Sequence, residues 1–124
     1  MKTGIERIHE ERTRQITTEG WSSSHDDEHP EMTLWRAGTC YETAGDMNAN
    51  YGTDHRLVKP EIWPWEDEWW KPATNAIRNY EKAGALFKAE ADRFRRMDRF
   101  SDASHMDTEA NRVAGKIDSL LNSD

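Results

Sequence analysis

The chain has 124 residues, a single cysteine and a net charge of −7, from 24 acidic and 17 basic side chains. This length suits one domain that folds without a metal, and one cysteine excludes an internal disulfide. The acidic balance argues against general nucleic-acid binding, because the average field of the chain repels phosphate.

Two further features of the composition bear on location and function. No apolar run is long enough for a secretory signal or a membrane span, so we expect a protein of the reducing cell interior that does not bind membranes. Six tryptophans in 124 residues are unusual. Tryptophan combines a large flat ring with a polar N–H group, which suits both core packing and the binding of flat ligands.

The first predicted element is a helix over residues 3–18. Ile5, Ile8 and Ile16 fall on one stripe of this helix, and Arg12 lies on the same stripe. Oppositely charged side chains four residues apart support the other faces. The pattern therefore predicts that the isoleucine stripe packs against the core.

The middle of the chain is predicted to alternate loops with one helix. Residues 21–31 show no periodicity and predict a loop. A second helix is expected over residues 31–43, where Gly38 would allow another helix to approach closely. Residues 44–62 are rich in Gly, Asn and Asp and predict a long irregular segment. Residues 63–72 have room for at most two helical turns between their prolines.

Two helices are predicted in the rest of the chain. The longer one covers residues 73–100, where apolar side chains keep a clear period of 3.6 residues. The last one covers residues 104–121, with Ser104 as its N-terminal cap. No strand pattern accompanies them, so the sequence predicts an all-α fold.

These elements predict one small domain of about four helices over residues 1–124, with two long functional loops. Residues 1–100 would form a ligand-binding core, and residues 101–124 a C-terminal helix packed on it. The loops at residues 21–31 and 44–72 would meet at one end of the bundle.

The segment His25-Asp26-Asp27-Glu28-His29 is the first candidate for chemistry. Imidazole and carboxylate groups are suitable ligands for zinc or manganese. The His-x-x-x-His spacing aligns two ligands only in a helix, however, and Pro30 and the preceding serines disfavour one. The pattern favours a polar capping loop with solvated histidines over a ligand-contacting loop or a metal site, and we expect no bound metal.

The second candidate is a cluster of four tryptophans: Trp63, Trp65, Trp69 and Trp70. Their rings either plug the end of the bundle or stack on a flat ligand such as a purine, and the two roles are compatible. Lys71 and Arg78 are neighbouring cations for a phosphate, and Arg12 and Arg14 would approach from the first helix.

Sequence motifs that would indicate catalysis are weak in this chain. Small helical nucleotide pyrophosphohydrolases hold magnesium with paired Glu-x-x-Glu and Glu-x-x-Asp motifs. The acidic residues on the predicted helices here do not form these motifs; they are Glu10, Glu11, Glu81 and Glu90. Most of these acids are expected on solvated helix faces. Cys40 is expected to be buried and unreactive. No phosphate-binding glycine loop or nucleophile elbow is present, so we predict no catalytic residue and no cofactor.

Eight short blocks span most of the first hundred residues: Glu11-Arg12-x-Arg14-Gln15, Glu19-Gly20-Trp21, His25-Asp26-Asp27-x-His29, Ala37-x-x-Cys40-Tyr41, Trp63-Pro64-Trp65, Trp69-Trp70-Lys71-Pro72, Lys82-Ala83-Gly84-Ala85-Leu86 and Ala89-Glu90. In combination they resemble a family of small phage and prophage proteins that has no settled activity. The resemblance implies a phage-encoded protein that acts in the cytoplasm of the host cell.

Four dipeptides carry a second resemblance: His9-Glu10, Gly20-Trp21, Asp26-Asp27 and His29-Pro30. Their order is similar to that of the ryanodine-receptor repeat, a helical module, although here the last two lie closer together and the tryptophans replace a later acidic stretch. Bacterial modules of this kind are thought to bind nucleotide signals. The resemblance therefore implies a ligand pocket, as an analogy between folds.

These patterns predict a non-enzymatic protein that binds and sequesters a nucleotide-derived small molecule, such as an ADP-ribose-type or cyclic nucleotide immune signal. The predicted ligand-binding residues are Arg12, Arg14, Trp21, His25, Asp26, Asp27, Trp65, Trp69 and Lys71. The tryptophans would stack on the base, the aspartates would accept hydrogen bonds from ribose hydroxyls, and the basic side chains would hold phosphate.

Two other functions remain open from the sequence. One is a metal-dependent nucleotide hydrolase that uses His25, Asp27 and His29. The other is an inhibitor that binds another protein through its acidic surface. A homo-oligomer is compatible with all three functions.

Overall fold

Five α-helices make up the fold in the computed structural model, which describes residues 1–52 and 58–122. In chain order they are α1 (Gly4–Thr17), α2 (Ser23–Asp27), α3 (Thr33–Tyr51), α4 (Ala76–Arg96) and α5 (Phe100–Leu121). A 3₁₀ turn at Asp67–Trp69 lies between α3 and α4. The described part of the chain contains no strand, which confirms the all-α prediction.

Helix α4 is the centre of the bundle and packs against each of the other four helices. Its buried face follows the predicted apolar period: Tyr80, Ala83, Leu86, Phe87, Ala91 and Phe94. The main core forms where this face meets Ile8 of α1, Leu34 of α3 and Val113 of α5. Helices α1 and α4 are therefore neighbours in the core.

Glycines on α3 and α4 allow the helices to approach one another closely, as two examples show. A Cβ atom on Gly38 of α3 would lie 2.8 Å from Cε1 of Phe87, so the predicted close approach at this glycine is confirmed. A Cβ atom on Gly84 of α4 would lie 2.3 Å from Cδ1 of Ile8. Any larger side chain at either position would push two helices apart.

The buried face of α1 differs from the predicted isoleucine stripe. Ile8 is buried as expected, but Ile16 is 42% exposed, and Glu11 and Gln15 are buried instead. The charge of Glu11 is tolerated there because Arg14 and Arg78 both donate hydrogen bonds to it. The expectation that Glu11 lies on a solvated face is therefore wrong.

The predicted loops contain more helix than the sequence indicates. Within the predicted loop at residues 21–31, Ser22 caps the short helix α2 by accepting a hydrogen bond from the backbone N–H of His25. Helix α3 runs through residues 44–51, where an irregular segment was predicted. Asn48 stabilises this extension, because its side-chain oxygen accepts a 2.7 Å hydrogen bond from Asn79. The rest of that predicted segment includes residues 53–57, which lie outside the described residues.

The last two helices have different ends from those predicted. Helix α4 begins at Ala76, after Asn75 caps its first turn, and ends at Arg96. Helix α5 begins at Phe100, so Ser104 lies inside the helix and is not its cap. The early start is favoured because the first turns of α5 bury apolar side chains against α4.

The segment between α3 and α4 follows its proline pattern. Its helical content is one short 3₁₀ turn, as the two flanking prolines predict. Trp63 is buried, and its indole N–H donates to the carbonyl oxygen of Glu66. The backbone N–H of Lys71 donates to the Tyr41 hydroxyl of α3. These contacts hold the segment across one end of the bundle.

None of the helices within residues 1–52 and 58–122 combines the length and the apolar character that a bilayer span requires.

Candidate functional site

A groove lies where α1, α2 and α3 meet the tryptophan-rich segment. It consists of two adjoining cavities of about 530 Å³ and about 300 Å³, which is a usual size range for small-molecule sites. Four side chains line both cavities: Trp21, His25, Tyr41 and Trp69. We call the larger one the aromatic cavity and the smaller one the charged cavity.

The aromatic cavity is walled by rings from two distant parts of the chain. Trp21 and His25 stack nearly parallel, with ring centroids 5.7 Å apart and an interplanar angle of 2°. Trp65 approaches Trp21 at 6.5 Å and His29 at 5.3 Å between centroids. The predicted meeting of residues 21–31 with the tryptophan segment is therefore confirmed.

The tryptophans of that segment have two structural roles, and Trp63 takes part in both. Trp63 and Trp70 pack on Tyr41 at centroid distances of 5.7 and 5.0 Å, and they close the end of the bundle. Trp63, Trp65 and Trp69 line the aromatic cavity, and Trp69 is 57% exposed. The predicted role as a plug is therefore present, and stacking on a flat ligand stays a prediction.

Two ring nitrogens in the wall of the aromatic cavity have no hydrogen-bond partner among the described residues. They are Nε1 of Trp65 and Nε2 of His29, and both are buried. Burial, together with the nearby His25, lowers the pKa of His29 below its ordinary value of 6.5. Unpaired buried polar atoms are costly, so a ligand that offers them hydrogen bonds would gain affinity here.

The charged cavity holds a fixed network of ions. Arg14 donates to Glu11 at 2.8 Å and to Glu19 at 2.9 Å, and Arg78 donates to Glu11 at 2.8 Å. Burial of Glu11 acts to raise its pKa, but the hydrogen bonds from the two arginines outweigh burial and hold the pKa below its ordinary value. Glu11 thus stays ionised, and the charge of Arg14 is already compensated.

Two lysines in the charged cavity have no carboxylate partner among the described residues. Nζ of Lys82 donates to the backbone carbonyl of Lys71 at 2.8 Å and lies 5.4 Å from the ring centroid of Tyr41. Nζ of Lys71 lies 5.6 Å from the ring centroid of Trp69. Burial and the nearby Arg78 lower the pKa of Lys82. The uncompensated positive charge of the groove therefore comes from these two ammonium groups.

Six of the predicted ligand-binding residues line the groove: Arg14, Trp21, His25, Trp65, Trp69 and Lys71. The structure does not bring the other three to either cavity. Asp26 is fully buried and accepts a 2.9 Å hydrogen bond from Arg12, which fastens α2 to α1. Asp27 accepts a 2.7 Å hydrogen bond from Arg96, which fastens α2 to α4.

The His25 and His29 rings lie close together, with centroids 4.9 Å apart in a T-shaped arrangement. Asp27, the third member of the metal-site alternative, is paired with Arg96 on the outer side of α2. Within residues 1–52 and 58–122, no three His, Cys, Asp or Glu side chains converge in a way that would hold a metal ion.

Several groove residues were not among those predicted to bind ligand, and they include Gln15, His29, Tyr41, Glu66 and Lys82. Tyr41 and Lys82 lie in helices whose patterns indicate core and solvent rather than a site. Gln15 could have been identified from the sequence, because it lies seven residues after Ile8 and therefore on the same helix face as that core residue. A polar residue at a core position is a mark of a site or of a buried network.

Two buried groups lie elsewhere in the bundle. Cys40 is fully buried, as predicted, and burial raises the pKa of its thiol to about 11. Glu90 is fully buried as well, against the expectation of a solvated face, and Arg93 donates a 2.9 Å hydrogen bond to it. Burial raises the pKa of Glu90. Neither group lines the groove.

Comparison of the chain with protein-family models, with curated proteins and with solved structures found no match. The resemblances to the phage protein family and to the ryanodine-receptor repeat therefore stay predictions.

Proposed function

We propose that this protein binds and sequesters a nucleotide-derived small molecule in the groove, without acting on it chemically. The observation that carries the proposal is a pair of adjoining cavities with shared aromatic walls, one of which also contains two lysines that have no carboxylate partner among the described residues. A base has a flat face for the rings, and a phosphate has a charge for the lysines. If the chain is phage-encoded, an ADP-ribose-type or cyclic nucleotide signal of the host immune response would be the ligand.

The aromatic side supports the proposal through exposure and geometry. Trp69 lines both cavities and is more than half exposed, so it is available to cover a bound ring. Stacking of a base on an aromatic side chain contributes roughly 1–3 kcal/mol. Trp21 and Trp65 extend the same apolar surface, and the unpaired N–H of Trp65 offers a donor to a ring nitrogen.

The charge distribution supports a local anion site in an acidic protein. The chain carries a net charge of −7, so its average field opposes an anionic ligand. Lys71 and Lys82 supply positive charge at short range, where it outweighs a screened and distant average field. These two ammonium groups therefore favour a nucleotide phosphate in the groove.

Titration calorimetry with a nucleotide panel tests the proposal. The panel contains nucleosides, their 5′-phosphates, ADP-ribose and cyclic dinucleotides, each measured with and without Mg²⁺ or Zn²⁺. We expect binding without added metal and recovery of the ligand unchanged by chromatography. Absence of binding across the panel would refute the proposal, and metal-dependent cleavage that is lost in His25→Ala would favour the hydrolase.

A pair of aromatic variants locates the binding. Trp69→Ala removes an exposed groove ring and should weaken binding about five- to 150-fold. Phe100→Ala is the matched control, because Phe100 is also an exposed aromatic residue, at 61%, but lines neither cavity. Equal effects of the two variants would show that the ligand does not occupy the groove.

A further inference from the structure

Resting on the function proposed above, we infer that the groove selects a nucleoside monophosphate over a nucleoside triphosphate. Its base would lie in the aromatic cavity, and its phosphate would lie between Lys71 and Lys82 in the charged cavity. This inference rests on the charges, the buried polar atoms and the arrangement of the two cavities.

The two lysines match the charge of one phosphate group. A phosphate monoester carries about 1.5 to 2 negative charges near neutral pH. Each lysine ammonium has three N–H donors, and among the described residues these two ammonium groups make one hydrogen bond, from Lys82 to the carbonyl of Lys71. Several donors therefore remain for the oxygens of a phosphate.

The carboxylates of the same cavity oppose a longer phosphate chain. Glu11 and Glu19 both line the charged cavity. Both carboxylates pair with Arg14, so the positive charge of Arg14 is already compensated. The β- and γ-phosphates of a triphosphate would add negative charge beside these two carboxylates, and no further unpaired cation among the described residues lines the cavity to balance it. Like charges at this range cost free energy, even in a partly screened site.

A buried glutamine supplies a hydrogen-bond acceptor in the charged cavity. Gln15 is 2% exposed and lines the charged cavity, and its Oε1 atom accepts no hydrogen bond from any residue that the structure describes. Its amide nitrogen makes only a long contact of 3.5 Å with Glu11. A ribose hydroxyl donates a hydrogen bond, and it stands between base and phosphate in a nucleotide. Gln15 thus offers a sugar contact in the charged cavity, whereas Asp26 lines neither cavity and is already paired with Arg12.

The acidic side of the aromatic cavity fixes the orientation of the ligand. Glu66 lines this cavity and has no cation partner among the described residues, whereas the neighbouring Asp67 is paired with Lys59 at 2.9 Å. A free carboxylate repels phosphate but accepts hydrogen bonds from the amino group of a base. The unpaired ring N–H of Trp65 supplies a donor in the same wall. A base presents both kinds of group along one edge.

Calorimetry on the full chain in EDTA tests the selection, with adenosine and guanosine, their 5′-monophosphates and their 5′-triphosphates as probes. For at least one base, we expect the monophosphate to bind about tenfold more tightly than the nucleoside, as hydrogen bonds to a charged group predict. The triphosphate should bind more weakly than the monophosphate. Equal or tighter binding of both triphosphates would overturn the inference.

Lysine variants test the position of the phosphate. Lys71→Gln and Lys82→Gln should each weaken monophosphate binding about tenfold more than nucleoside binding. Lys88→Gln is the matched control, because Lys88 lies on α4 like Lys82 but is paired with Asp107 outside the groove. Equal losses for nucleoside and monophosphate in the first two variants would overturn the inference.

The two proposals fail in different ways. If ADP-ribose or a cyclic dinucleotide binds while both monophosphates do not, the monophosphate inference is wrong and the proposed function stands. If no member of the wider panel binds, the proposed function itself is wrong. Circular dichroism of each variant establishes that it is folded, and the comparison of ligands on the unaltered chain needs no variant.

Discussion

Replacing Asp26 should destabilise the fold, because its carboxylate is a structural ion and not a ligand contact. Asp26 is fully buried and accepts hydrogen-bond contacts from Arg12 at 2.9 Å and, when that nitrogen is protonated, from Nδ1 of His25 at 3.2 Å. In Asp26→Ala the guanidinium of Arg12 would lose its near partner while its side chain stays only 11% exposed. The remaining carboxylate, Asp92, is 3.9 Å away.

The size of the loss follows from this geometry. Removing one partner of a buried ion pair typically costs about 3–5 kcal/mol. Arg12 retains slight exposure and a distant carboxylate, so we expect the lower end, about 3 kcal/mol. Asp27→Ala is the matched control next along the chain. Asp27 is half exposed and paired with Arg96, and loss of such a surface pair costs about 0–1 kcal/mol.

Urea denaturation followed by far-UV circular dichroism measures both losses as free energies of unfolding. A double variant, Arg12→Met with Asp26→Leu, removes both charges and should cost less than Asp26→Ala alone, because no buried charge is left unpaired. The reasoning would be refuted if Asp26→Ala cost no more than Asp27→Ala. It would also be refuted if the double variant were less stable than the single one.

Three further outcomes can be measured on the same protein. Gly38→Leu should lower the free energy of unfolding by about 1–3 kcal/mol, because its Cβ alone would lie 2.8 Å from Phe87. Gly115→Ala is the control: its Cβ would meet no atom within 4 Å, so a thermal melt should show a neutral or stabilising effect. The fold lowers the pKa of His29, so as the pH falls the unfolded chain takes up this proton before the folded chain does. The free energy of unfolding should therefore decrease as the pH drops below 6.5, and this decrease should be smaller in His29→Gln. Cys40, with its pKa raised to about 11 by burial, should react with a thiol reagent at neutral pH far more slowly in the folded than in the unfolded protein.

The sequence predicts the helices well where the pattern is strong and local. The long period from Ile77 to Phe94 identifies α4, and the prolines around the tryptophans limit that segment to one turn. The extension of α3 to Tyr51 could not be predicted, because its Gly and Asn residues favour a loop locally. Tertiary contacts override this preference, since Gly45 gives room to the Tyr80 ring and Asn48 pairs with α4.

The groove is predictable in part, for a related physical reason. Tryptophans beside a basic residue indicate a ligand surface from composition alone, and Trp65, Trp69 and Lys71 do line the groove. A sequence does not reveal which of two adjacent aspartates faces inward. Asp26 and Asp27 therefore looked alike as ribose contacts, although one is buried in an ion pair and the other lies on the outer surface.

The most direct test of the groove as a nucleotide site is nuclear magnetic resonance of the indole N–H groups. Each tryptophan gives one signal, so the six rings report six positions in one spectrum. On addition of millimolar AMP, ADP-ribose or a cyclic dinucleotide, we predict that the signals of Trp21, Trp65 and Trp69 shift with saturation. The signal of Trp35, which packs against the core outside both cavities, should stay in place. Shifts confined to Trp35, or no shift with any of these compounds, would contradict the account.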